Sequence, residues 1–204
     1  MRNIYWFGMA DEEKIDYLKK FSVGIIGSRL LMELLWRSGI GCIRYIGDFI
    51  TPVDARLDSS IKPLEANSYD IVHPMSHDTC IVSYLYPDDY SELRKQLKGV
   101  DLIIAHKYIQ EGAKVAEELG APFMPDIITT FLPDGFSFEE VEYPDVDYNP
   151  VSYAFNCSFQ AGEVMRIFTG YHKPVLAPEA YVIDIKAQNY LKKVELKLKT
   201  DQND

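Results

Sequence analysis

Cysteine is scarce in this chain. Cys42, Cys80 and Cys157 are scattered, with no CxxC pair and no regular framework. That excludes a disulfide-stapled secreted scaffold and a paired-cysteine zinc site. Positive charge is short as well: 21 lysines and arginines face 31 aspartates and glutamates, for a net charge of −10. Such a balance repels a phosphate backbone or an anionic bilayer, so neither nucleic acid nor a membrane is an expected partner. No apolar run approaches the roughly 20 residues that span a bilayer. The opening stretch MRNIYWFGMADEEK is too acidic, and its apolar part too short, for a secretory signal. A reduced, cytoplasmic protein is the expectation. Repeats and low-complexity segments are absent too, which excludes solenoids.

What remains is a chain of 204 residues with 47% hydrophobic content, enough to bury one full core. A single α/β domain with an appendage is the economical reading. The most informative stretch is LKKFSVGIIGSRLLMELLWRSGIGCIRYIGDFIT, residues 18–51. Val23, Ile25 and Ile26 form a β-branched run that stops at Gly27. Leu30, Leu31, Leu34 and Leu35 follow at helical spacing as far as the Gly39-Ile40-Gly41 stop. Ile43, Tyr45 and Ile46 make the next strand, closed by Gly47-Asp48. Strand, glycine turn, helix and a second strand ending in an acid form the nucleotide-binding half of a Rossmann-like unit. There the helix N-terminus faces a phosphate and the acid faces a ribose.

The alternation continues along the chain. Residues 11–20 (DEEKIDYLKK) read as a helix with acids early and lysines late, which suits its dipole. Residues 51–77, with Pro52, Pro63 and Pro74, read as an irregular, mobile connection over the ligand site. A strand is expected over 80–86, a helix over 90–98, a buried strand over 100–105 and a crossover helix over 110–119 capped by Gly120. Another strand begins at 122–124. Residues 133–150 crowd Glu139, Glu140, Glu142, Asp145 and Asp147 into what reads as a solvated loop. A helix over 158–169, a strand over 180–185 and an edge strand over 190–199 complete the reading.

These residues carry a family resemblance. LKKFSVGIIG resembles the opening strand of the ThiF, MoeB and ubiquitin-activating group of adenylating enzymes, and SGIGCIRYIGDF resembles their second strand. FQAGEVMRIFTGYHKPVLAPEAYVIDI resembles that group's late helix ending in "LTG" and the strand that follows it. The resemblance implies a Rossmann-like, ThiF-type mixed sheet flanked by helices, in a single domain. Residues 1–130 would form the nucleotide-binding half and 131–204 the substrate-side half. It also implies the chemistry: a carboxylate attacks ATP, with Mg²⁺, to give an acyl-adenylate and pyrophosphate.

The same resemblance implies a site, and the chain departs from its pattern. Gly27 and Gly39 lie 12 positions apart, about four fewer than in the family's glycine-rich form. Ser28, a helix N-cap by type, and Arg29 stand where further glycines would be; Arg29 is positioned to grip a phosphate in their stead. Asp48 maps to the ribose acid with a one-residue slip. Arg56 and Lys62 map near an arginine and a lysine that offset triphosphate charge, and Arg2 to an N-terminal arginine that reaches a partner's ATP site. Arg29 and Arg56 are thus the catalytic candidates. After VDLIIA the family carries a magnesium-holding aspartate, whereas this chain offers His106, Lys107 and Tyr108. His106 joins the nucleotide-binding set. Lys107 and Tyr108, with Asp126, Thr129 and Thr130 after the next strand, form the substrate-side set. No protein-ligated metal is assigned.

The stretch 133–150 lacks a cysteine, and Cys157 lies in an apolar helix, so thioester transfer within this chain is disfavoured. The resemblance implies as partners a small-molecule carboxylate and an acyl-acceptor protein with a reactive cysteine; a second copy of the chain is expected too, since the family pairs and Tyr5, Trp6 and Phe7 need cover. In its compact, zinc-free form the chain resembles members of the group that serve [Fe]-hydrogenase cofactor biosynthesis, and that resemblance implies a guanylylpyridinol carboxylate as substrate. Two alternatives stay open: a non-catalytic nucleotide-binding or scaffold member of the fold, and another Rossmann enzyme using NAD or S-adenosylmethionine.

Overall fold

The computed structural model describes residues 17–48, 71–74, 80–144, 146, 149–186 and 190–199, the stretch 71–74 by its backbone. Arg2, Tyr5, Trp6, Phe7, Arg56 and Lys62 lie outside the described residues, as do most of the expected helix over 11–20 and of the connection over 51–77.

Strands β1 (Ser22–Ile26), β2 (Cys42–Ile46), β4 (Cys80–Tyr84), β5 (Leu102–Ala105) and β6 (Phe123–Met124) run parallel, and β3 (Ile71–Pro74) pairs antiparallel with β4 at one edge. The order across the sheet is β3-β4-β2-β1-β5-β6. This is the mixed sheet with flanking helices expected from the sequence. Strand β3 falls inside the stretch read as irregular, where three prolines obscured a four-residue apolar-to-proline edge. A separate two-stranded antiparallel sheet joins β7 (Glu179–Ile183) to β8 (Leu191–Glu195).

Side-chain alternation along the strands loads both faces. Val23, Ile25, Ile43, Tyr45, Leu102 and Ile104 meet helix α1 (Arg29–Arg37) and helix α4 (Pro150–Thr169) on one side. Ile26, Ile46, Ile103 and Ala105 meet helix α2 (Tyr90–Leu97) and helix α3 (Ile109–Leu119) on the other. Strands buried on both faces read as unbroken apolar runs, which is why VDLIIA was legible.

Helix α4 begins at Pro150, eight residues before the expected start at 158. Its start carries a capping box: the Asn149 carboxamide accepts from Val151 N at 2.9 Å and Ser152 N at 3.0 Å, and Ser152 Oγ accepts from Asn149 N at 3.0 Å. Pro150 supplies the first helical residue, where its missing N–H costs nothing. In the acidic stretch Glu139, Glu140 and Glu142 are exposed as expected, but Phe138 and Val141 are buried. Phe138 packs edge-on against Phe123 and Phe131, both at 5.3 Å, and so holds the loop on the sheet. Among the described residues no helix is long and apolar enough to cross a membrane.

Candidate functional site

The chain leaves β1 toward β2 on one side, and β5 comes back on the other. The loops after β1 and β5 therefore diverge, and a crevice opens outside their carboxyl ends. Gly27 and His106 stand on its two sides. The sheet pairing runs on past the strands, with Ile26 O accepting from His106 N at 2.8 Å and Lys107 N at 3.4 Å. Gly27 has φ +81°, and a Cβ placed on it would sit 2.7 Å from the Lys107 side chain. Both the left-handed backbone and the close approach require glycine here.

Ser28, fully buried, caps α1: its Oγ accepts from Leu31 N at 3.4 Å. The same oxygen lies 2.7 Å from the Tyr153 hydroxyl and 3.5 Å from Cys157 Sγ, both on α4. Burial pushes the Tyr153 phenol up to about 12 and raises the Cys157 thiol, so both groups stay protonated at neutral pH. Burial outweighs the hydrogen bonds with Ser28, Tyr153 and Leu31 N that favour the thiolate, so Cys157 is not an activated nucleophile.

Two further residues of α4 fix His106. Gln160 is fully buried and its Nε2 donates to Pro125 O at 2.6 Å and Ile127 O at 3.2 Å. That orientation leaves Gln160 Oε1 toward the ring, where it accepts from Asn156 Nδ2 at 3.2 Å and lies 2.6 Å from His106 Nε2. An amide oxygen only accepts, so this network assigns the proton to Nε2 and leaves Nδ1 as an acceptor. Burial pulls the His106 pKa down to about 4, against the smaller opposing effect of the Gln160 bond. The ring is therefore neutral at pH 7, and Tyr153 packs against it edge-on at 5.5 Å.

The other expected residues are distributed around this centre. Arg29 opens α1 with its guanidinium laid on Glu33, Nε to Oε1 3.4 Å. Asp48 is exposed just beyond β2. Lys107 is exposed, its ammonium 5.0 Å from the centre of the Tyr86 ring, and Tyr108 leans on the same ring at 5.3 Å. On the α2 and α3 side a cavity of about 230 Å³ runs between Ile26, Ile46, Pro87, Tyr90 and Tyr108. Asp126 accepts a hydrogen bond from Tyr143, and its pKa is raised by burial. Thr129 and Thr130 are buried and tied to the appended C-terminal strand region: Thr129 Oγ1 donates to Glu179 O at 2.7 Å, and Thr130 N to Val175 O at 2.9 Å. The structure thus brings Gly27, Ser28 and His106 together, sets Asp126 behind them through Asn156, which donates to Asp126 O at 2.8 Å, and turns both threonines elsewhere.

The described residues build no metal cage of their own, so a magnesium ion at this edge would be held chiefly by the phosphates of a bound nucleotide. The position after β5 is a neutral imidazole, Asp126 is engaged by Tyr143, and no group of three metal-ligating side chains exists among the described residues. Sequence reasoning missed Tyr153, Asn156 and Gln160 as parts of the crevice. The first two lie in turns of α4 that the sequence pattern reads as loop, and the signal that places them in the helix is the Asn149-Pro150-Val151-Ser152 start.

Solved structures share the fold. PaaA aligns over 91% of this chain and 67% of its own, at 18% identity with a TM-score of 0.59. E. coli MccB crystallised with MccA aligns over 89% of this chain and 65% of its own, at 16% identity with a TM-score of 0.63. MccB crystallised with ATP aligns over 89% and 66%, at 15% identity with a TM-score of 0.61. This chain thus spans about two thirds of the length of those proteins. At such identities the likeness shows the fold, the ThiF-type mixed sheet expected from the sequence. No protein-family model and no curated protein matches the chain.

Proposed function

We propose that this protein binds ATP at the carboxyl edge of its sheet and adenylates a carboxylate. One observation carries the reading: the Gly27 turn and the start of α1 face His106 across the switch-point crevice, on a fold that MccB shares and with which MccB was crystallised with ATP. The N–H groups of the first turn of α1 would present partial positive charge to phosphate, and Asp48 after β2 would take the ribose. Arg29, Arg56 and Lys62 offset the repulsion between the two anions, with Arg2 supplied by a second copy in a homodimer.

No protein nucleophile is required. The substrate carboxylate, ionised at neutral pH, attacks the α-phosphorus; the bond to the β-phosphate oxygen breaks and pyrophosphate leaves. Neutral His106 offers Nδ1 as an acceptor to the bound substrates and cannot serve as a cation there. Lys107, Tyr108 and Asp126 form the substrate-side set, with residues 1–130 as the nucleotide half and 131–204 as the substrate half; Thr129 and Thr130, buried and bonded to the C-terminal strand region, drop out of it. In the finer form of the proposal the protein is similar to HcgE, acts in the cytoplasm on the guanylylpyridinol carboxylate of [Fe]-hydrogenase cofactor biosynthesis and hands the acyl group to another protein's cysteine. That form rests on the sequence resemblance.

Carboxylate-dependent exchange of pyrophosphate into ATP tests the reaction, and isothermal titration tests the site. Arg29→Ala should weaken ATP binding by about 1.5–3 kcal/mol and Asp48→Ala by about 1–3 kcal/mol, the range for losing a hydrogen bond to a charged group. ATP binding without exchange for any carboxylate would establish the scaffold alternative. Thermal stabilisation by NAD or S-adenosylmethionine, and not by ATP, would overturn the nucleotide assignment.

A further inference from the structure

Two of the three thiols that are scattered in the sequence become neighbours in the fold. Cys42 and Cys80 open β2 and β4, and they are register partners across that parallel pair. The strands are locked at this point by Cys80 N donating to Gly41 O at 2.8 Å. Register partners on adjacent strands project from the same face. Strands lie about 4.8 Å apart, inside the window of about 4.4–6.8 Å between Cα atoms that a disulfide spans. Both residues are half-buried and free, so solvent reaches them, whereas Cys157 is fully buried against Ser28. The pair sits at the amino ends of the strands, on the opposite edge from the crevice after β1 and β5, and the proposed chemistry does not use it.

We propose that Cys42 and Cys80 are a redox-active dithiol that closes to an intramolecular disulfide by exchange with a small disulfide such as oxidised glutathione. One protein thiolate attacks a sulfur of the oxidant and expels one glutathione thiolate. The second protein thiolate then attacks the protein sulfur of the mixed disulfide and expels the other. Two protein thiols are oxidised, one small disulfide is reduced, and the two thiol protons end on the departing glutathiones. Burial and the adjoining Cys42 thiol raise the Cys80 pKa, so the exchange accelerates as pH rises through the alkaline range. The bond would tie β2 to β4 and enclose within one covalent ring β3 and the connection that carries Arg56 and Lys62.

The full chain is equilibrated in buffers of graded reduced-to-oxidised glutathione, quenched with an alkylating reagent under denaturing conditions so that buried Cys157 also reacts, and measured by intact mass. The alkylatable thiols should fall from three to one, and digestion should yield a single peptide pair joining Cys42 to Cys80. Cys42→Ser and Cys80→Ser should each trade the internal bond for a glutathione adduct on the remaining thiol. Cys157→Ala should keep the internal bond, and circular dichroism of each variant reports that it is folded. Three alkylatable thiols at the most oxidising ratio, separate glutathione adducts on Cys42 and Cys80 in the parent chain, or a bond that includes Cys157 would each overturn the proposal.

Discussion

Replacing Gln160 with alanine probes the centre of the crevice most directly, because this one side chain joins three elements. Its amide nitrogen is the hydrogen-bond donor to Pro125 O, and its oxygen is the partner of His106 Nε2. Ile127 O keeps a second donor in Thr129 N at 3.1 Å, and Asn156 Nδ2 keeps Asp126 O at 2.8 Å. Two groups are therefore left without their partner. An unmade hydrogen bond in the interior costs about 1–3 kcal/mol, and water reaching the half-buried imidazole recovers part of one, so the expected loss is about 2–4 kcal/mol. Urea unfolding measures it, as a lower midpoint at unchanged slope. Nitrogen NMR of the imidazole supplies a second readout: the parent ring should carry its proton on Nε2, and the variant should populate the other tautomer. A loss below about 1 kcal/mol together with unchanged ring nitrogens would refute the network as the determinant of the histidine's state.

His106 also sets a pH dependence. The unfolded ring gains its proton near 6.5 and the folded ring near 4, so between those values the unfolded state binds more protons and stability falls as pH falls. The size is on the order of 2–3 kcal/mol, with Asp126, raised by burial, acting in the opposite direction. Urea midpoints from pH 4 to 7 should therefore slope more steeply in the parent than in His106→Asn, and equal slopes would contradict the assignment. Asn149→Ala removes the cap of α4 and should cost about 1 kcal/mol. Amide exchange should then quicken in the turns that carry Tyr153 and Asn156; protection unchanged there would show that tertiary packing alone holds them.

The readable parts of this protein are those where local chemistry and tertiary demand coincide. The strand, Gly27 turn and helix from 22 to 37 declare themselves because a doubly buried strand must be uniformly apolar, and a left-handed turn pressed against Lys107 must be glycine. Strand β3 was illegible because an edge strand tolerates proline and needs no apolar alternation. The first two turns of α4 were hidden for a different reason. Their helical signal is a cap, and an asparagine followed by proline also reads as a turn.

The sequence by itself determined the Rossmann-like order of elements, the acidic and cysteine-poor character of the chain and the presence of His106 at the end of a central strand, since each is written in local pattern or composition. Tertiary structure alone decided the state of that histidine. Its neutrality comes from burial and from Gln160, 54 positions away, whose amide is oriented by two backbone carbonyls. It also decided that Thr129 would serve the Glu179 carbonyl, and that Cys42 and Cys80 would stand side by side. Register between strands distant in sequence is set by the packing of both sheet faces at once, and no local window of residues contains that information.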